Sequence, residues 1–88
     1  MITVVLADDH PNVRQGLRAL LAGEDGCHVV GEAADGLTAL DLIAQHRPHV
    51  AVLDLQMPDL DGLEVARRVR ENVPETHAVI LSLHGDEP

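Results

Sequence analysis

Ile2-Thr3-Val4-Val5-Leu6-Ala7-Asp8-Asp9 and Val50-Ala51-Val52-Leu53-Asp54 are two short apolar runs, rich in β-branched residues, that each end in acid. Their length and composition suit strands buried on both faces of a parallel sheet. If the two are neighbours, three carboxylates meet at one edge of that sheet. Carboxylates a few ångströms apart raise one another's pKa unless a cation stands among them. The cluster therefore reads as a site for a hard divalent metal, with one acid left over for chemistry.

The sequence around these runs changes period. Val13, Leu17, Leu20 and Leu21 lie at i, i+4, i+7 and i+8 and form one apolar stripe on a helix of about three turns, with Pro11 in the first turn, where its missing N–H costs nothing. Gly23 and Gly26 break the pattern, and His28-Val29-Val30-Gly31-Glu32-Ala33 reads as a second strand. After Gly36 a second helical pattern places Leu37, Leu40, Ile43 and Ala44 on one face, and Pro48 stops it before the strand 50–54. The loop 55–62 leads into a third helix over about 63–72, with Leu63, Val65, Ala66 and Val69 inward. Pro74 ends it, and Ala78-Val79-Ile80-Leu81 is a fourth strand that runs into Ser82. Four strands alternating with three helices imply right-handed crossovers and an α/β fold with a doubly wound parallel sheet. Ligands of such sheets bind beyond the carboxyl ends of the strands, where the strand order reverses. Asp8, Asp9, Asp54 and Ser82 fall in that place.

Composition narrows the function. Eighty-eight residues allow one small domain. The chain is 45% hydrophobic yet has no Phe, Tyr or Trp, so its core is aliphatic and offers no platform for stacking bases. The net charge is −9 and every basic residue is an arginine, at 14, 18, 47, 67, 68 and 70, a balance that opposes direct binding to nucleic acid or to an anionic membrane. Arg67, Arg68 and Arg70 read as a solvated helix face. Cys27 has no partner for an internal disulfide, which fits a reducing cytoplasm. No apolar run approaches the ~20 residues of a membrane span, and there is no signal-type N-terminus, so a soluble cytoplasmic protein is expected.

Several other readings of the same residues are weaker. Asp8-Asp9 alone would suit a helix cap, but the matching Asp54 favours a site. Asp59, Asp61 and Gly62 suggest a calcium loop, except that Met57 would then be its first ligand and Arg68 its last. These two acids suit the start of a helix instead, and Met57-Pro58 suits a rigid turn, with Met57 able to pack over the site. His10, His28, His46, His49, His77 and His84 are scattered without zinc-ligand spacing. Ser82 lacks the Gly-x-Ser-x-Gly setting of a hydrolase nucleophile, and Gln56 stands where an aspartyl phosphatase would repeat the acid, which leaves a small hydrolase as the least supported reading.

Leu6-Ala7-Asp8-Asp9-His10-Pro11, the strand ending at Asp54, the loop Leu55-Gln56-Met57-Pro58-Asp59-Leu60-Asp61-Gly62 and Val79-Ile80-Leu81-Ser82 together resemble the receiver domain of bacterial two-component response regulators, along the whole chain. Asp-Asp-His-Pro and Val29-Val30-Gly31-Glu32-Ala33 are most similar to the NarL/FixJ subgroup, whose output is a LuxR-type helix-turn-helix domain. The resemblance implies a flavodoxin-like sheet in the order 2-1-3-4. It implies Asp54 as phosphoacceptor for a sensor histidine kinase, and Mg²⁺ held by Asp8, Asp9, Asp54 and the backbone carbonyl of Gln56. Asp9 would bind the ion directly and Asp8 through a water. Ser82 would hydrogen-bond the phosphoryl group. The implied role is a signalling domain that promotes only its own phosphorylation and dephosphorylation, works as a homodimer, and reaches DNA through an output domain that residues 1–88 do not include.

Against that family, the chain reads as a partial receiver, ending after the fourth strand. The family's fourth helix, fifth strand and fifth helix would follow, and with them a phosphoryl-binding lysine and an aromatic switch. No lysine and no aromatic residue occurs anywhere in the chain. Leu83 stands where the family usually has a small residue. The fourth strand would then be an open edge and the stripe on the first helix partly uncovered, at ~1.5–3 kcal/mol for each apolar side chain left wet. This suggests part of a longer protein, or a dimer that covers the edge. It also leaves open an alternative function, a non-signalling interaction module.

Overall fold

A strand covered on both faces needs no polar alternation, and in the first strand, β1 (Ile2–Ala7), Val4, Val5, Leu6 and Ala7 are all buried. The computed structural model describes residues 1–81. After β1 come α1 (Pro11–Ala22), β2 (Cys27–Ala33), α2 (Gly36–His46), β3 (Val50–Asp54), α3 (Gly62–Asn72) and β4 (His77–Leu81). The strands form one parallel sheet in the order β2-β1-β3-β4, as expected. The chain therefore reverses its direction of travel between β1 and β3, and the crevice at their carboxyl ends is the switch point. α2 and α3 pack against each other on one face, and α1 lies against β1 and β2.

The main core fills the space between the sheet and the α2/α3 pair, where Val5, Ile43, Leu53, Val65 and Val69 are fully or almost fully buried. Four inward assignments require correction, at Leu20, Leu37, Ala44 and Leu63. Leu37 and Leu63 were expected on the buried stripes of α2 and α3, yet they are 52% and 61% exposed. The buried positions are Gly36, Ala39 and Ile43 in α2, and Gly62, Val65 and Val69 in α3. Each helix begins with a glycine pressed against the neighbouring loop, which turns the following leucine about 100° away toward solvent. Ala44 is likewise exposed, while Leu40 and Ala66 are half-buried. α1 has no fully buried residue: Val13, Leu17 and Leu21 are half-buried, and Leu20 is 71% exposed.

Side chains fix the starts of α2 and α3, at Asp61 as the sequence suggested and at Asp35 in addition. Asp35 caps α2 by accepting the Thr38 N–H at 2.7 Å, and Asp61 caps α3 by accepting that of Glu64 at 2.9 Å. Arg67 and Arg68 of α3 pair with Glu64, and Arg67 also with Glu71, on the solvated face expected for them. At the amino-terminal edge of the sheet, the buried Thr76 hydroxyl donates to the Pro48 carbonyl at 2.6 Å.

Candidate functional site

Parallel pairing sets Ala7 beside Leu53, so the acids that follow them in sequence emerge together at the switch point. Asp8, Asp9 and Asp54 do converge there, and His10 joins them: one ligand atom from each of the four lies within 4.8 Å of the others. Asp8 and Asp54 are each only 5% exposed, whereas Asp9 and His10 are open to solvent. The Nδ1 atom of His10 stands 3.0 Å from Asp8 Oδ1, 3.1 Å from Asp9 Oδ1 and 3.8 Å from Asp54 Oδ2.

These contacts remove the capping reading of the acid pair. The N-cap of α1 is His10, which makes no side-chain cap, and Asp8 Oδ1 instead accepts the His10 backbone N–H at 2.8 Å and its ring N–H at 3.0 Å. Arg14 braces the turn from one helical turn further on. Its guanidinium donates to the Asp8 carbonyl at 2.6 Å and to Glu32 at 3.2 Å, and Arg18 reaches the same glutamate. Neither His10 nor Arg14 figured in the sequence reading of the site. The signal for His10 was its place directly after the acid pair, and for Arg14 its spacing one turn into the helix.

Asp54 carries the electrostatic strain. Burial raises its pKa, the charges of Asp8 and Asp9 raise it further, and the Gln56 backbone N–H and His10 oppose them. His10 is pushed up in turn, chiefly by its hydrogen bond to Asp8 and then by the charge on Asp9. The buried Oδ2 of Asp54 has no hydrogen-bond partner among the described residues. A buried carboxylate oxygen without a donor, in a nest of further carboxylates, suits a hard divalent cation that takes oxygen ligands. The donor set therefore fits the metal.

The loop between β3 and α3 holds Asp54 in place. Asp59, at φ 64, accepts the backbone N–H groups of Gly36, Leu37 and Leu60, so this loop caps α2 as well as leading into α3. Gly62 donates to the Leu55 carbonyl at 2.9 Å and closes the loop. Met57 is half-buried and packs against the main core. Ser82 lies outside the described residues; its neighbour Leu81 pairs with Asp54 in the sheet. No helix among the described residues is long and apolar enough to cross a membrane.

Residues 4–88 match the response regulator receiver domain family. The "Probable transcriptional regulatory protein NarL" of Mycobacterium tuberculosis is 46% identical over 87 residues, which is 99% of this chain and 40% of that protein. The "Uncharacterized transcriptional regulatory protein YhcZ" of Bacillus subtilis is 40% identical over 84 residues, 96% of this chain and 39% of its own length. Among solved structures, the signal receiver domain of NarL from Mycobacterium tuberculosis superposes with a TM-score of 0.91 at 46% identity, covering 99% of this chain and 69% of that one. The chain thus spans about two fifths of the length of the curated relatives it matches.

Proposed function

The chain belongs to the response regulator receiver domain family, of the NarL/LuxR type, and from that membership we propose that Asp54 accepts a phosphoryl group from a phosphohistidine of a sensor kinase. One observation carries the assignment: Asp54 Oδ2 is buried, unpartnered and surrounded by acids at the switch point of the sheet. Asp54 is also the acid at a strand end, fixed by the β3 backbone, whereas Asp8 Oδ1 is already engaged by two N–H groups.

In the proposed transfer, an Asp54 carboxylate oxygen attacks phosphorus, the phosphorus–nitrogen bond of the phosphohistidine breaks, and the histidine leaves with the bonding electron pair and takes up a proton. An acyl phosphate results. Attack of water on its phosphorus releases inorganic phosphate and restores the carboxylate. Asp8, Asp9, Asp54 and the Gln56 backbone carbonyl would hold Mg²⁺, which when bound supplies positive charge to offset the phosphoryl oxygens. Asp8 and Asp9 position that charge, and the loop pinned by Asp59 and Gly62 keeps Asp54 from drifting off line. Ser82 would hydrogen-bond the transferred group.

The same proposal covers the protein as a whole. Residues 1–88 act as a receiver unit and not as an enzyme with an external substrate; the output is DNA-binding, active as a homodimer in the cytoplasm. Two relatives of this chain are named as transcriptional regulators, which supports that output. The alternative of a non-signalling interaction module leaves the orphan oxygen of Asp54 without a purpose.

Incubation with Mg²⁺ and acetyl phosphate, followed by intact-mass spectrometry, tests the acceptor. One phosphoryl adduct is expected, absent in Asp54→Asn and dependent on Mg²⁺. An adduct that persists in Asp54→Asn would overturn the assignment.

A further inference from the structure

We propose that Arg14 is a positioning residue for the cation site, gripping the Asp8–Asp9 peptide so that Asp9 is held beside Asp54; the inference rests on the metal reading of the preceding section and names what sets the strength of that site. A peptide unit is planar, so the Asp8 carbonyl and the Asp9 N–H turn together. Both ends of Asp8 are tied: its N–H donates to the Ala33 carbonyl at 3.0 Å, and its own carbonyl accepts from the Arg14 guanidinium at 2.6 Å. Asp9 has less to hold it. Its side chain is open to solvent and pairs with the exposed ring of His10, whereas Asp8 is buried. The orientation of Asp9 thus depends on the peptide plane that Arg14 grips.

Arg14 is itself fixed. Its Nε donates to Glu32 Oε1 at 3.2 Å while a terminal nitrogen meets the Asp8 carbonyl, an arrangement that suits the rigid fork of a guanidinium. Glu32 stands on β2 opposite Leu6 of β1, so the brace is anchored to the sheet beside the acid turn, and both members of the pair are half-buried. Arg18 takes the other oxygen of Glu32 at 3.2 Å, is exposed, and makes no hydrogen bond to Asp8 among the described residues. Charge and position predict opposite signs. A guanidinium near a cation repels it, so on charge alone the loss of Arg14 would tighten binding. On position the loss loosens binding, because the acid turn must then be ordered when the ion arrives.

The test uses the full chain and its Arg14→Ala, Arg14→Lys and Arg18→Ala variants, with Mg²⁺ alone titrated calorimetrically and far-UV circular dichroism as the check of folding. Arg14→Ala is expected to weaken Mg²⁺ binding about tenfold, the lower end for groups that orient a metal's ligands. Arg14→Lys keeps the charge without the fork and should lose at least about threefold. Arg18→Ala removes a charge from the same glutamate and spares the carbonyl contact, so it should stay within about twofold of the parent. With acetyl phosphate as donor, the Mg²⁺ concentration for half-maximal phosphorylation of Arg14→Ala should shift by the same factor as its affinity, with the rate at saturating Mg²⁺ kept within about twofold. A merely unfolded fraction would lower the amplitude and leave that midpoint in place. Mg²⁺ binding by Arg14→Ala that equals or exceeds the parent's, or an equal loss in Arg18→Ala, would overturn the role of Arg14 and leave the metal reading standing. A parent chain that takes up no Mg²⁺ would overturn that reading, and the inference with it.

Discussion

Replacing Gly62 by alanine strikes the loop that carries Asp54 without touching any carboxylate. A Cβ on Gly62 would stand 3.0 Å from the carbonyl carbon of Asp54 and 3.2 Å from the Cα of Leu55, and closer still to the Asp54 carbonyl oxygen. Carbon atoms prefer about 3.5–4.0 Å, so backbone must yield by about half an ångström. That backbone is not free: Asp54 is paired in the sheet, and Leu55 donates to Leu81 and accepts from Gly62 itself. Overpacking of this kind costs about 1–3 kcal/mol. A domain of this length has on the order of 4–13 kcal/mol in total. With about 4–8 °C of midpoint per kcal/mol, the expected loss is on the order of 10 °C in a thermal melt followed by circular dichroism. Gly16→Ala is the control. It lies within α1 with no atom within 4 Å of a Cβ, and should gain about 0.5–1 kcal/mol from helix propensity alone. A Gly62→Ala protein that melts at or above the parent temperature would refute the packing argument, since the helix-propensity gain cannot hide a clash of this size.

Asp59→Ala should lower the urea midpoint by the equivalent of about 1–2 kcal/mol, because the Leu37 N–H loses its acceptor and those of Gly36 and Leu60 keep only the Pro58 carbonyl; Asp59→Asn, which keeps an oxygen and tolerates positive φ, should lose much less. Thr76→Val should cost about 1–3 kcal/mol in the same assay, since the buried Pro48 carbonyl is left without its donor, and Thr76→Ser should recover part of the loss. The pH dependence of Asp54 has a definite sign. Its pKa in the fold is raised above the 3.8 of a free carboxylate, so the folded state holds the proton more tightly. Below 3.8 the group contributes nothing; as pH climbs from there through the raised value, stability falls and then stays lowered. Denaturation in the presence of a chelator should show this falling component in the parent and not in Asp54→Asn, and an unchanged pH profile in the variant would contradict it.

The strands were legible because a parallel sheet covered on both faces leaves a distinctive trace, whereas their order came only from the family resemblance. Unbroken apolar runs such as Val4 to Ala7 and Ala51 to Leu53 have no alternation that another element could share. The acid cluster was legible for the same reason: once two such runs are neighbours, the residues just past their ends must meet. Leu37 and Leu63 were misplaced because hydropathy assigns a leucine inward unless something nearer decides. Here a glycine decides, at Gly36 and Gly62, by allowing a close approach that any Cβ would forbid. His10 and Asp59 were read only in part for different reasons. Asp59 depends on a contact between loops far apart in sequence, with Gly36, which no local spacing encodes, whereas the tie of His10 to Asp8 is local and was passed over.

The same contacts explain how a small aliphatic domain carries so unfavourable a charge cluster. Asp8 and Asp54 are both buried, and at neutral pH their repulsion works against folding. What opposes it is distributed: two N–H groups on Asp8, the Arg14 guanidinium on the Asp8 carbonyl, and the Asp59 cap that ties the Asp54 loop to α2. None of these neutralises Asp54 Oδ2 itself, which stays buried without a donor. The fold thus supplies rigidity to the site and leaves one charge uncompensated. That combination makes cation binding favourable: the ion meets preorganised oxygens whose desolvation was already met by folding, and its gain appears as added stability in proportion to RT ln(1 + [L]/Kd).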